Sequence, residues 1–261
     1  MDKIEINHVI RKHYPRVEST MLTSVPFSKD TCYIITADEQ TDGFGASGHY
    51  WYSPPGNIFV TYIFSIYDSD ENNVKPWKLT IEQVAGLAVA ESLEQLGIST
   101  RIKWKNDILV ANKKISGILV RRFNTEVNNN YLLYIGIGVN VNMSEIELRE
   151  VDQPAISVAM ELKKEYDKSI IEKNISAKII EYMTQLSSNG FSSFCKIIDE
   201  KLLWKNKNIR VDLTPRYKRR TERSSSIFGQ LIGINEKGEL MVQTKKAIRS
   251  VEYGSLILLD K

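Results

Sequence analysis

The sequence predicts an α+β protein in which strands and helices build a large first domain over 1–204 and a small five-stranded β-barrel follows over 205–261. Three observations predict it. Runs rich in β-branched and aromatic residues at 31–37, 57–66 and 131–141 read as buried strands. Apolar residues recur at helical spacing over 80–96 and 169–186. After Trp204 the texture changes to short strand-like runs split by glycine and polar turns.

In chain order, TCYIITA at 31–37 is the first strand, and a stretch bearing Gly43, Gly45, Gly48 and Trp51 leads from it to NIFVTYIFSI at 57–66. Thr80 is placed to N-cap a helix that runs to Leu96 and stops at Gly97. Its apolar stripe is Val84, Leu87, Ala88, Leu93 and Leu96. Residues 100–104 form a short strand, Asn106 and Asp107 turn the chain, and 108–110 with 115–123 make a hairpin across Asn112-Lys113. The strand YLLYIGIGVNV at 131–141 carries Gly136 and Gly138, and internal glycines mark close approach by a ligand or another backbone. Helices follow over Ser169–Leu186 and Phe191–Leu203. The barrel strands are 207–213, 226–234, 239–244, 247–252 and 255–259, with Asn235-Glu236-Lys237-Gly238 as a hairpin turn.

The composition, 42% hydrophobic and 26% charged, is that of a globular protein. A net charge of +3 is too weak to argue for nucleic acid, which needs a concentrated basic surface. The one basic block, RYKRRTER at 216–223, reads as a solvated connection between strands. Cys32 and Cys195 stand far apart with no CxxC or histidine cluster, so they read as reduced thiols. The N-terminus has no apolar signal core, and no run spans a bilayer, so a cytoplasmic protein without a membrane partner is expected.

Three stretches carry candidate chemistry. Glycines spaced through Gln40–Trp51 let backbone N–H groups close on an anion or a flat ligand, though such a stretch alone equally fits a surface loop. Lys103, in KWKND at a strand end, can stabilise charge on a phosphoryl or carboxylate oxygen, or simply face solvent. Ile135–Asn140 brings the paired glycines, which fit packing as well as a ligand.

Their order is more specific than any one of them. The chain resembles the biotin protein ligases, or holocarboxylase synthetases. The resemblance rests on Ser19-Thr20, on Gln40 to Gly56 with the family's spacing from glutamine to tryptophan, and on KWKND at 103–107. It continues through Lys113–Leu119, the 135–140 strand and the 207–260 region. It implies a class II tRNA synthetase-like mixed sheet packed by helices and an SH3-like C-terminal barrel. It also implies a catalytic-only type lacking the DNA-binding winged helix, and hence no DNA partner, and leaves a homodimer open.

The resemblance implies a ligase that joins biotin to AMP from ATP, carried with Mg²⁺, and passes biotin to a lysine of a biotin carboxyl carrier domain. Lys103 would be the catalytic charge-stabiliser. Ser19, Thr20, Gln40, Gly43, Trp51, Lys103, Lys114 and Gly117 would hold biotin. Gly45, Ala46, Gly48, Trp51, Lys103, Asn106 and Asn140 would hold ATP and the adenylate. Asp107 would fix the turn that aims Lys103. No dedicated protein metal site is implied.

The sequence departs from the family at Phe44, Ala46 and His49, where the loop usually carries basic side chains, at Met21 in place of Asn, and at Lys105 in place of Pro. Ala46 cannot grip phosphate, and Lys105 returns one positive charge to the neighbourhood. Two other readings share the fold: a lipoate ligase or octanoyl transferase, and a binding protein that has lost catalysis. KWxND with the biotin-type loop, and no cysteine among the candidate residues, favour biotin over the first. Retained Lys103 and Asn140 argue against the second.

Overall fold

The computed structural model describes residues 4–67, 77–125, 130–213 and 225–259. The basic run at 216–223 lies outside them. The first unit is a seven-stranded mixed sheet in the order β1-β2-β3-β7-β6-β5-β4. Its strands are β1 (His8–Val17), β2 (Thr31–Gln40), β3 (Ile58–Tyr67), β4 (Arg101–Lys103), β5 (Asp107–Val110), β6 (Lys113–Asn124) and β7 (Asn130–Val139). Only β1 and β2 pair in parallel.

That sheet has two unlike faces, because side chains alternate along each strand. One face presents Ile34, Val60, Tyr62, Val120, Ile135 and Ile137 to the main core. Helices α1 (Trp77–Glu94), α4 (Lys168–Asn189) and α5 (Ser192–Glu200) cover it. Helix α1 is apolar nearly all round, as a helix must be that is buried between a sheet and α4. The other face carries Tyr33, Ile35, Ile63, Leu119, Leu132 and Tyr134, with glycine at 117, 136 and 138. Short helices α2 (Glu145–Leu148) and α3 (Val158–Leu162) follow β7.

Strand β1 is missing from the sequence expectation. It is an edge strand, exposed along most of its length and interrupted by Pro15, so it has neither the apolar run nor the clean alternation of β2 and β3. Helix α1 also starts at Trp77, which places Thr80 inside it rather than at its cap. The hairpin between β5 and β6 turns on Ala111 and Asn112, both at positive φ, one residue earlier than expected.

The last strands, β8 (Asn208–Asp212), β9 (Ser226–Ile234), β10 (Leu240–Gln243), β11 (Ile248–Val251) and β12 (Ser255–Leu258), form an antiparallel sheet in the order β11-β10-β9-β8-β12. Among the described residues the two outer strands are not paired with each other. Ile209, Val211, Leu231, Leu240 and Val242 form its core, joined by Leu79, Trp104 and Leu202 from the first unit. Gln83 Nε2 and Trp104 Nε1 both donate to the Gly238 carbonyl, at 2.7 and 3.0 Å, which pins the β9–β10 turn against α1 and the β4–β5 turn.

Candidate active site

A cleft of about 250 Å³ opens on the sheet face away from the helices. Its deep end is built by the crossover from β1 to β2, which must pass over the sheet because these neighbours run parallel. The crossover turns at Ser19, whose hydroxyl caps Met21 N at 3.3 Å. Gln40, ending β2, receives that turn: its Oε1 accepts from Thr20 N at 2.9 Å, Thr20 Oγ1 at 3.2 Å and Ser19 Oγ at 3.4 Å. Thr61 Oγ1 donates to Thr20 Oγ1 at 2.8 Å, and Gln40 Nε2 donates to Ser53 Oγ at 3.0 Å. All five side chains are buried. The result is an uncharged, pre-ordered hydrogen-bonding wall.

The floor is made of glycine. A Cβ on Gly138 would lie 2.4 Å from Trp51 Cε2, one on Gly117 3.0 Å from Trp51 Cζ3, and one on Gly136 2.5 Å from Met21 Sδ. Trp51 therefore lies flat against β6 and β7 because those strands lack side chains there. Its Nε1 is buried without a hydrogen-bond partner among the described residues.

The glycine-bearing stretch folds as a small hairpin. Gly45 N donates to His49 O at 2.7 Å, Trp51 N donates to Gly43 O at 2.8 Å, and Phe44 bridges Tyr50. Phe44 and Ala46 pack on the apolar cluster of Met21, Leu119 and Tyr134, and Arg121 lies over the Phe44 ring at 4.3 Å. His49 Nδ1 is 3.5 Å from Asp152. At positions 44 and 46 the hairpin is thus anchored by apolar contacts, and at 49 by the approach of the imidazole to Asp152.

The third wall is the 103–107 turn. Lys103 faces Asp107 across the β4–β5 pair, and Asp107 binds Lys114 Nζ at 2.7 Å. Lys105 Nζ is 3.2 Å from buried Glu82, so the positive charge expected to compensate for Ala46 is already paired. Asn106 Nδ2 donates to Ile118 O at 2.7 Å and holds the turn to β6. Lys103 alone of the three lysines in the cleft wall has no carboxylate within salt-bridge distance among the described residues. Burial holds its ammonium below the usual lysine range; Asp107 opposes that shift and Lys114 adds to it.

Of the residues singled out in the sequence, Ser19, Thr20, Gln40, Gly45, Ala46, Trp51, Lys103, Asn106, Lys114 and Gly117 line this cleft. Three do not. Gly43 is packed under Ser53 Oγ and the Trp51 carbonyl, Gly48 lies exposed at the hairpin tip with φ +75°, and Asn140 is buried beyond the floor. Asn140 Nδ2 donates to Ile156 O at 3.2 Å and ties the end of β7 to the following segment. Gln153, Gly254 and the first two residues of β12, Ser255 and Leu256, also line the cleft. No sequence signal marks them: Gln153 arrives on the segment that pairs beside Lys114, and residues 254–256 arrive with the C-terminal sheet.

Among the described residues no three His, Cys, Asp or Glu side chains converge as metal ligands, and Asp107 is held by Lys114. Among the described residues no helix is long and apolar enough to cross a membrane.

Residues 14–141 match the Biotin/lipoate A/B protein ligase family. The chain is similar to the bifunctional ligase/repressor BirA of Bacillus subtilis (strain 168), at 28% identity over 227 residues, 86% of this chain and 66% of the relative. It is also similar to BirA of Escherichia coli (strain K12), at 23% identity over 233 residues, 88% of this chain and 67% of the relative. It thus spans about two thirds of the length of these curated relatives. Its fold matches that of the biotin protein ligase from Aquifex aeolicus in complex with biotin and ATP, with a TM-score of 0.75 and 25% identity over 97% of this chain and 99% of that one.

Proposed function

We propose that this chain, whose residues 14–141 match the Biotin/lipoate A/B protein ligase family, activates biotin with ATP and transfers it to a lysine of a biotin carboxyl carrier domain. The observation that carries this reading is the meeting, in one cleft, of a buried neutral hydrogen-bonding wall and an ammonium with no carboxylate within salt-bridge distance among the described residues. A ureido ring has both donors and acceptors and suits Ser19, Thr20 and the free N–H of Gln40. The apolar ring and tail would lie along Trp51 and the glycine floor toward Lys103.

In the first step a carboxylate oxygen of biotin attacks the α-phosphorus of ATP, the bond to the bridging oxygen breaks, and pyrophosphate leaves. Lys103 offsets the negative charge that gathers between carboxylate and phosphate. Charge on the phosphates would be neutralised further by Mg²⁺ carried with ATP. In the second step the carrier amine attacks the acyl carbon, AMP leaves with the bonding electrons, and the amine gives up a proton. No side chain needs to act as nucleophile, so the cleft works by positioning and charge. Gly45 and Ala46 border the nucleotide side. Asn106 and Asn140 serve it by holding the turn and the end of β7 in place, and Lys114 closes the wall with Asp107.

Biotin-dependent exchange of labelled pyrophosphate into ATP tests the first step. Exchange that requires biotin supports the reading, and exchange supported by lipoate or octanoate but not by biotin replaces it with the lipoate ligase reading.

A further inference from the structure

We infer that Trp204 is a positioning residue for Lys103: its indole face holds the ammonium charged at the cleft without neutralising it, and links that placement to the C-terminal sheet. The inference rests on the role of Lys103 proposed above.

Lys103 Nζ lies 5.2 Å from the Trp204 ring centroid. An indole face attracts a cation through its quadrupole. It brings no counter-charge, whereas Lys105 and Lys114 are each held by a carboxylate. An ammonium placed in this way keeps its charge for a substrate oxygen. Lys103 is also faced by Asp107 from β5 and Lys114 from β6. On the 201–205 segment the lysines are engaged elsewhere, Lys201 with Glu94 at 2.6 Å and Lys205 with Asp199.

The backbone around Trp204 is built to present it. The segment before it runs alongside β4: Ile102 N donates to Lys201 O at 2.9 Å, and Leu203 N donates to Ile102 O at 2.8 Å. Trp204 itself sits at φ +63°, a left-handed conformation that is costly for a large side chain. Asn206 N, donating to Leu231 O at 2.7 Å, and Leu231 N, donating to Lys207 O at 3.0 Å, hold the chain just beyond it to β9. The side chain packs on the C-terminal core, and its Nε1 is buried with no partner among the described residues. The contact it makes with Lys103 is through its face, with Nζ over the ring.

Trp204→Leu and Trp204→Phe separate this role from packing, since both are unbranched at Cβ and only Phe keeps a π face. The readouts are the titration of Lys103 by lysine side-chain NMR, assigned with Lys103→Arg, and biotin-dependent pyrophosphate exchange across pH. With Leu, Lys103 should lose its proton at lower pH, the basic limb of exchange should move with it, and kcat should fall about 3- to 30-fold. Phe, a weaker cation binder, should shift both in the same direction by less, so it carries the test alone if the Leu variant fails to fold. An unmoved Lys103 titration in the folded variants overturns the inference, as does equal loss of activity in both with an unmoved basic limb. A wild-type chain without biotin-dependent exchange overturns the biotin reading instead, and the titration still decides the placement of Lys103.

Discussion

Lys105 Nζ stands 3.2 Å from Glu82 Oε2, and Glu82, on α1, is only 1% exposed. The cation that this chain has at the third position of KWKND is thus an anchor for the 103–107 turn. Lys78 approaches the same carboxylate at 3.9 Å from the exposed side of α1. Burial raises the Glu82 pKa above the usual carboxylate range, and Lys105 is the main group opposing it.

Lys105→Ala should therefore destabilise the fold by about 3 kcal/mol at neutral pH, because it strands a buried charge. The folded pKa of Glu82 is raised, so the native state binds its proton more readily than the unfolded chain. Stability then falls as pH rises from the ordinary carboxylate value through the raised one. Without Lys105 the raised value moves further up. Urea unfolding should show the deficit in full at neutral pH and shrinking in mild acid; a deficit independent of pH would remove Glu82 from the explanation.

Lys103→Ala should leave biotin bound and slow pyrophosphate exchange by roughly 10²–10³-fold, the loss of one charge-stabilising donor. Its pKa is lowered by burial, so the wild-type rate should decline on a basic limb below the ordinary lysine range. Wild-type-like exchange in the variant rejects the role.

Much of this was legible in the sequence because the relevant residues sit where local pattern is strong. The buried strands β2, β3 and β7 read as apolar runs, and Lys103 sits in a motif at a strand end. The paired glycines of β7 announced a close approach, which proves to be Trp51 on Gly138 and Met21 on Gly136. What escaped depends on long-range placement. The edge strand β1 lacks an apolar run, Trp204 reaches Lys103 only through the 201–204 pairing with β4, and the partners of Lys105 and Asn140 lie on other elements.

Gly138→Ala should tilt Trp51 off the floor, since its Cβ would fall 2.4 Å from the indole. Overpacking of this kind costs about 1–3 kcal/mol, so biotin affinity should drop roughly tenfold or more. Gly86→Ala, whose Cβ meets Ile108 at an ordinary 3.4 Å, is the control and should bind as wild type. Calorimetry with biotin compares them, and equal affinity in both variants would mean the floor does not shape the biotin site.

The hairpin offers no arginine to the adenylate, since Ala46 rests on the apolar cluster and Arg121 lies over Phe44. A charge-assisted hydrogen bond is worth about 1.5–3 kcal/mol, so biotinyl-AMP should dissociate roughly 10–150-fold faster than from an arginine-bearing hairpin. The expected signs are biotin on bystander lysines of an unrelated protein and a slower release after Ala46→Arg. If release is equally slow in both, the apolar contacts alone retain the adenylate.

The most direct measurement incubates the full chain with biotin, Mg²⁺-ATP and a biotin carboxyl carrier domain, then locates added mass on the carrier by peptide mass spectrometry. The account predicts one biotinylated lysine that requires ATP and disappears with Lys103→Ala. An unmodified carrier, or a carrier acylated when lipoate or octanoate replaces biotin but not with biotin itself, would contradict it.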